Sequence, residues 1–177
     1  MANGVFRSDA IKATKAGNIK SGRYYVGTTP TAIDNGSIVK LDSLISGERD
    51  LWKVVAPGAI TAGNLYIVGT PEIIYDENLK SSGALDKFQN AAGANITLIP
   101  LEVGDNFSIS DDCITPINDD DDIPSVNSYV TPSATGVKWT EIAENSLNTE
   151  VFRGKIIARE IYNGIKYLNV IEMVKVR

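Results

Sequence analysis

The chain has 177 residues, an ordinary apolar fraction of 43%, and 22 acidic against 17 basic side chains, for a net charge of −5. A chain of this length buries roughly 70% of its unfolded surface, so it needs neither disulfides nor a metal to fold. The acid excess and scattered basic residues argue against nucleic-acid binding, and no run approaches the roughly 20 apolar residues of a membrane span.

Residues 1–20 hold few large apolar groups and read as an N-terminal arm. Ser8 can cap a short helical turn from Asp9 to Ala16, and Gly17-Asn18 would end it. The stretch Met1 to Arg7 has neither a basic start nor an apolar core, so a soluble protein made in a cytoplasm is expected.

From residue 21 to 177 the pattern is β. Arg23-Tyr24-Tyr25-Val26 is a strand closed by Gly27 and Pro30. Asp34-Asn35-Gly36 is a turn signal, followed by a strand over Ser37 to Leu41. Leu51 to Val55 and Leu65 to Val68 are further strands. Tyr24 to Thr28 and Tyr66 to Thr70 resemble each other, each a strand leaving at Gly-Thr, but five residues do not make a repeat. Residues 76–95 are polar and small and read as a loop with a helical turn near Leu85 to Asn90. Strands resume at Ile96 to Leu101 and at Asn106 to Ser110, where polar and apolar residues alternate.

Residues 111–122 hold six aspartates, which repel one another and predict an exposed loop, with a possible sub-boundary near 111–125. Glycines, serines and prolines prolong the turn character beyond it. Glu150 to Glu160 and Ile165 to Val176 are two long strands joined by Asn163-Gly164, the strongest short hairpin signal in the chain. The expected fold is mainly β: a small antiparallel barrel or sandwich with long loops, an N-terminal arm and a long C-terminal hairpin.

Catalytic chemistry is thinly represented. With no histidine, the Ser-His-Asp and Cys-His systems and nearly all catalytic zinc sites are excluded. The lone Cys113 has no disulfide or thiolate-site partner and reads as a small buried apolar group. Arg153-Gly154-Lys155 lacks the glycine spacing of a phosphate loop. Glu141 and Glu144 could stand as a carboxylate pair, but such pairs are ordinary on solvated surfaces. The aspartate run lacks the glycine and glutamate of an EF-hand. A solvated loop is its plain reading, and Asp119, Asp120 and Asp122 are the candidates for a weakly held Ca²⁺. Trp52 and Trp139 suit core or interface packing better than a sugar platform. No enzyme, cofactor or firm metal site is expected.

The order of segments carries a resemblance. It runs through Ser21-Gly22-Arg23-Tyr24-Tyr25-Val26, Asp34-Asn35-Gly36-Ser37-Ile38-Val39-Lys40-Leu41 and Trp52-Lys53-Val54-Val55-Ala56-Pro57. It continues through Leu101-Glu102-Val103-Gly104-Asp105-Asn106-Phe107-Ser108-Ile109-Ser110 and Phe152-Arg153-Gly154-Lys155-Ile156-Ile157-Ala158-Arg159-Glu160. This order resembles the decoration, or cement, proteins encoded beside the major capsid protein in tailed phages of Gram-positive bacteria. The resemblance implies a place on the capsid exterior of the virion, an HK97-like major capsid protein as partner, and bridging of capsomers. By analogy it also implies self-association, with a trimer as first guess. Phe6, Lys12, Lys15, Tyr24, Tyr25 and Trp52 are the expected partner-binding residues. The alternative is a fibre or tail module that binds a host receptor or glycan.

Overall fold

The computed structural model describes residues 3–7, 11–13, 16–58, 65–72, 85–117, 123–144, 152–162 and 166–176. The fold is mainly β, a closed five-stranded barrel beside a second, curled sheet. Among the described residues the helical elements are single 3-10 turns at Ala16–Asn18, Leu85–Lys87 and Asp111–Cys113.

The barrel uses β1 (Lys20–Val26), β3 (Ile38–Leu44), β4 (Leu51–Val55), β5 (Leu65–Val68) and β6 (Ile96–Pro100), with β2 (Thr29–Pro30) folded back on β1. The order β1-β4-β3-β5-β6 closes through antiparallel pairing of β6 with β1. Within the barrel, β1 and β4 pair in parallel and the other described pairs are antiparallel. Closure leaves no free barrel edge for unwanted pairing.

The second sheet takes β7 (Asn106–Ser110), β8 (Ile114–Thr115), β9 (Tyr129–Pro132), β10 (Trp139–Ile142), β11 (Arg153–Tyr162) and β12 (Lys166–Lys175). Its order is β7-β12-β11-β9-β10-β8. The outermost strands β7 and β8 are consecutive in the chain, separated by the Asp111–Cys113 turn alone, so the sheet curls back toward itself. The chain therefore passes through 111–117 without leaving this sheet, and the change from barrel to curled sheet falls between β6 and β7 rather than near 111–125.

Strand β5 explains how the two sheets meet. All four of its residues are buried. Tyr66 and Val68 point into the barrel with Tyr24, Val39, Val54, Ile96 and Leu98. Leu65 and Ile67 point outward into a larger core with Phe107, Trp139, Phe152, Ile156 and Met173. A short unbroken apolar run is the mark of a strand buried on both faces. β3 divides in the same way, with Val39 inward and Ile38 outward. Phe6, Phe107, Trp139 and Phe152 form a row of rings across this seam, with centroids 6.4, 5.6 and 6.0 Å apart.

The free arm expected over residues 1–20 is corrected by its described parts. Val5 and Phe6 are buried in the core, not exposed. Phe6 bridges Ile109, Arg7 N–H donates to the Ser108 carbonyl, and Ser110 N–H donates to the Val5 carbonyl. The segment thus adds a short strand to the otherwise open edge of β7. Residues 11–13 are extended, with Lys12 bridged to Asn106, where a helical turn was expected; residues 8–10, 14 and 15 lie outside the described residues. The sequence signal was weak because Val5 and Phe6 are a lone apolar pair between Gly4 and Arg7-Ser8-Asp9. Gly69 makes its place: a Cβ there would stand 2.6 Å from the Phe6 ring and 2.7 Å from Ile99.

Truncating a buried aromatic ring costs about 3–5 kcal/mol, while trimming a free arm costs nearly nothing. Phe6→Ala is therefore expected to lower unfolding stability by about that amount in urea or guanidinium titration. An unchanged midpoint would refute the docked segment.

Candidate functional site

The sequence-predicted partner residues do not form one surface. Phe6 belongs to the interior. Tyr24 is buried in the barrel, where desolvation raises its phenol pKa. Lys12 is exposed beside β7, and Lys15 lies outside the described residues. Tyr25 and Trp52 are both half-buried and stand on the adjacent strands β1 and β4, but on opposite sides of the barrel wall: Trp52 packs against the interior cluster with Tyr24 and Val54, and Tyr25 faces outward.

Each of the two rings has a lysine over it. Lys20 Nζ stands 5.8 Å from the centre of the Trp52 ring, and Lys53 Nζ stands 5.7 Å from that of Tyr25. Lys53 also pairs with Asp42 at 3.3 Å. Leu44, directly across from Trp52 in the β3/β4 register, is 48% exposed. Tyr25, Thr28, Ser43, Leu44, Ile45 and Lys53 line much of an open groove of about 280 Å³. A groove so shallow suits a side chain or an extended segment of a partner more than an enclosed small molecule. Lys53 and Leu44 were not expected as part of it. Cross-strand register brings them there, and spacing along the chain does not reveal register.

A second exposed surface lies on the β11–β12 hairpin. β9 pairs with β11 only at Gly154 and Lys155, and β7 pairs with β12 only from Leu168 to Glu172. Past these points the hairpin projects. No third strand among the described residues pairs with β11 over 157–161. Its exposed apolar side chains are Ile157, Ile161 and Tyr167. The base of the projection is pinned by Asp111, which accepts from Arg159 at 2.7 Å and from Asn169 Nδ2 at 2.6 Å. The Arg159 guanidinium also stands 4.5 Å from the centre of the Tyr167 ring.

The carboxylate pair raised by the sequence is split by the fold. Glu141 is buried, and its two oxygens accept from the N–H groups of Ile117 and Ser125 at 3.1 and 2.8 Å. It ties together the two ends of the acidic segment, whereas Glu144 is exposed. The Ca²⁺ candidates Asp119, Asp120 and Asp122 lie outside the described residues. Among the described residues no group of three or more cysteines, aspartates or glutamates is placed to hold a metal, and no helix is long and apolar enough to cross a membrane.

Cys113 is buried between Gly4 and Gly36, where an added Cβ would stand 2.6 and 2.8 Å from its sulfur. Its thiol donates to the Asn35 carbonyl at 3.4 Å. Burial pushes its pKa up to about 12, with the nearby Asp34 and Asp112 charges adding to the shift and a Ser110 hydrogen bond opposing it.

Compared with protein-family models, with curated proteins and with solved structures, the chain matches none.

Two outcomes follow from these buried groups. The folded state holds Cys113 as the neutral thiol, while the unfolded chain ionises near the ordinary value of 9.0. Stability from this group is complete below that value and is lost as pH rises toward about 12. Cys113→Ala should flatten that part of a stability–pH curve, and a thiol reagent at neutral pH should label the native protein only as fast as it unfolds. Glu141→Ala should remove two charge-assisted bonds, at about 1.5–3 kcal/mol each. Limited proteolysis should then cut between Ile117 and Ser125 faster than in the wild type.

Proposed function

We propose that this chain is a non-enzymatic structural module of a tailed-phage head, a decoration protein that binds the outer face of the major capsid protein lattice and bridges capsomers. The observation that carries this reading is the projecting β11–β12 hairpin. It offers a strand edge that no third strand among the described residues pairs, and exposed Ile157, Ile161 and Tyr167, on a base tied by Asp111, Arg159 and Asn169. A strand edge flanked by apolar side chains can add to a partner sheet, with main-chain bonds for affinity and side chains for selectivity. The segment order of the sequence supports the same reading. So does the use made of the buried carboxylate Glu141, which binds the backbone N–H groups of Ile117 and Ser125 instead of facing a cleft.

Partner contacts were expected of residues 1–20 through Phe6, Lys12 and Lys15. With Phe6 buried, the C-terminal hairpin takes that role. A capsid presents many equivalent sites, so modest affinity at each is enough when neighbouring copies are linked. The receptor or glycan reading is less well supported. Sugar stacking needs an open ring face, and lysines already stand over a face of both Trp52 and Tyr25.

The test is binding to shells assembled from the cognate major capsid protein, with copies located by cryo-EM. The full chain should decorate the outer surface at a fixed ratio to capsomers. Ile161→Asp with Tyr167→Ser should weaken decoration about tenfold or more, as expected for residues central to an interface. Shells that stay bare with the wild-type chain would reject the proposal.

A further inference from the structure

Two buried polar atoms at the base of the hairpin make no bond to the protein. Asn169 is 0% exposed. Among the described residues neither its Oδ1 nor the Nε–H of Arg159 has a hydrogen-bond partner. The two residues stand directly opposite each other in the β11–β12 register. Asn169 is also opposite Ile109, a core residue, so its amide lies at the margin of that core and not in water. A polar group buried without a bond is costly, and buried groups of this kind are nearly always bonded.

The carboxylate of Asp111 explains why these two atoms are the ones left over. An arginine often closes a fork on a carboxylate with two parallel bonds. Here Arg159 Nη2 takes Oδ2 at 2.7 Å, and Asn169 Nδ2 takes Oδ1 at 2.6 Å. Asn169 thus occupies the oxygen that would complete the fork, and Arg159 Nε is left without it. The amide cannot turn over to help, because Asn169 Oδ1 would then meet the negative carboxylate. What remains is a donor on β11 and an acceptor on β12, on cross-strand neighbours.

Their chemistry selects the ligand. An anion would suit Arg159 Nε–H but would be repelled by Asn169 Oδ1 and Asp111. A cation would suit Oδ1 but not the guanidinium. A water molecule accepts from Nε–H and donates to Oδ1, so it satisfies both. We infer that one water molecule is held between Arg159 Nε and Asn169 Oδ1 as a fixed part of the hairpin base. Buried waters typically make about three hydrogen bonds to polar groups that lack other partners, and both of these atoms qualify. With it, Asp111, Arg159, the water and Asn169 close a ring of hydrogen bonds that joins β11 to β12 and both to the Asp111–Cys113 turn. The ring lies past the point where β9 stops pairing with β11, so it cross-links a stretch that the neighbouring strand does not support. The water site holds whether or not the chain binds a capsid.

A crystal structure of the full chain, at a resolution that places ordered water, is the first test. One water within about 2.7–3.2 Å of both atoms is expected. Arg159 Nε bonded directly to Asn169 Oδ1, or a protein group or an ion on either atom, would overturn the inference. In solution, nitrogen-edited NMR reads the same site through the Arg159 Nε–H. Laboratory-frame and rotating-frame cross-peaks from that hydrogen to water should have opposite signs, the mark of a held water, whereas equal signs mark proton exchange. Tyr167→Phe keeps a ring beside the guanidinium and removes the hydroxyl that could relay such a signal. The cross-peak should survive that substitution. Its loss in Tyr167→Phe, equal signs, or no cross-peak in the wild type would each count against the water.

Discussion

The turn Asp34-Asn35-Gly36 holds the two sheets in one arrangement. Turns of this composition usually sit in water, but Asn35 and Gly36 are buried. Gly36 has φ of +81°, a conformation that favours glycine. Its N–H donates to the Val68 carbonyl, and its carbonyl accepts from Trp139 Nε1 at 3.0 Å, joining barrel to curled sheet. The Asn35 amide exchanges bonds of 2.8 and 3.1 Å with the backbone of Thr70 and accepts from Asn90 at 3.0 Å. Asp34 accepts from Gly4 N–H and Gln89 Nε2. Three adjacent residues thus gather the N-terminal segment, the region after the Leu85–Lys87 turn, strand β5 and β10. Buried polar groups are expensive unless fully bonded, and here the bonding itself specifies which elements lie side by side.

Much of the fold was legible where local pattern and final environment agree. β4 and β5 fall where their apolar runs predict, and the Asn-Gly signal separates β11 from β12, although residues 163–165 themselves lie outside the described residues. What could not be read was mostly non-local. β9 and β10 have four residues each and stand in a turn-rich stretch with Pro132, so no periodicity could declare them. The likeness of Tyr24–Thr28 to Tyr66–Thr70 also dissolves. Gly27 turns the chain at positive φ into β2, while Gly69 packs so close to the Phe6 ring that a Cβ there would clash.

The same division applies to function-bearing residues. Tyr24 and Tyr25 are identical side chains one position apart, yet one lines the barrel core and the other its exterior, because strand side chains alternate. Composition marked both as aromatic anchors and could not choose between them. Glu141 looked like a surface acid until two backbone N–H groups, from Ile117 and Ser125, were found on its carboxylate. The projection of the hairpin depends on where β7 and β9 stop pairing, and that length mismatch belongs to the neighbouring strands and not to the hairpin sequence.

The docking of Val5 and Phe6 onto Ile109 and Ser110 also sets an order of events during synthesis. Val5 and Phe6 have their partners about a hundred positions later in the chain, and β7 itself is paired in turn by β12, later still. These two residues must therefore wait, unburied, until β7 and β12 have been made. Contacts of such long sequence separation slow folding, since loop-closure entropy is lost before any contact is gained. The closed barrel faces no such delay after β6 is made. A nascent chain of this protein would thus carry a finished barrel and an unfinished second half, with Phe6 among the last side chains to leave water.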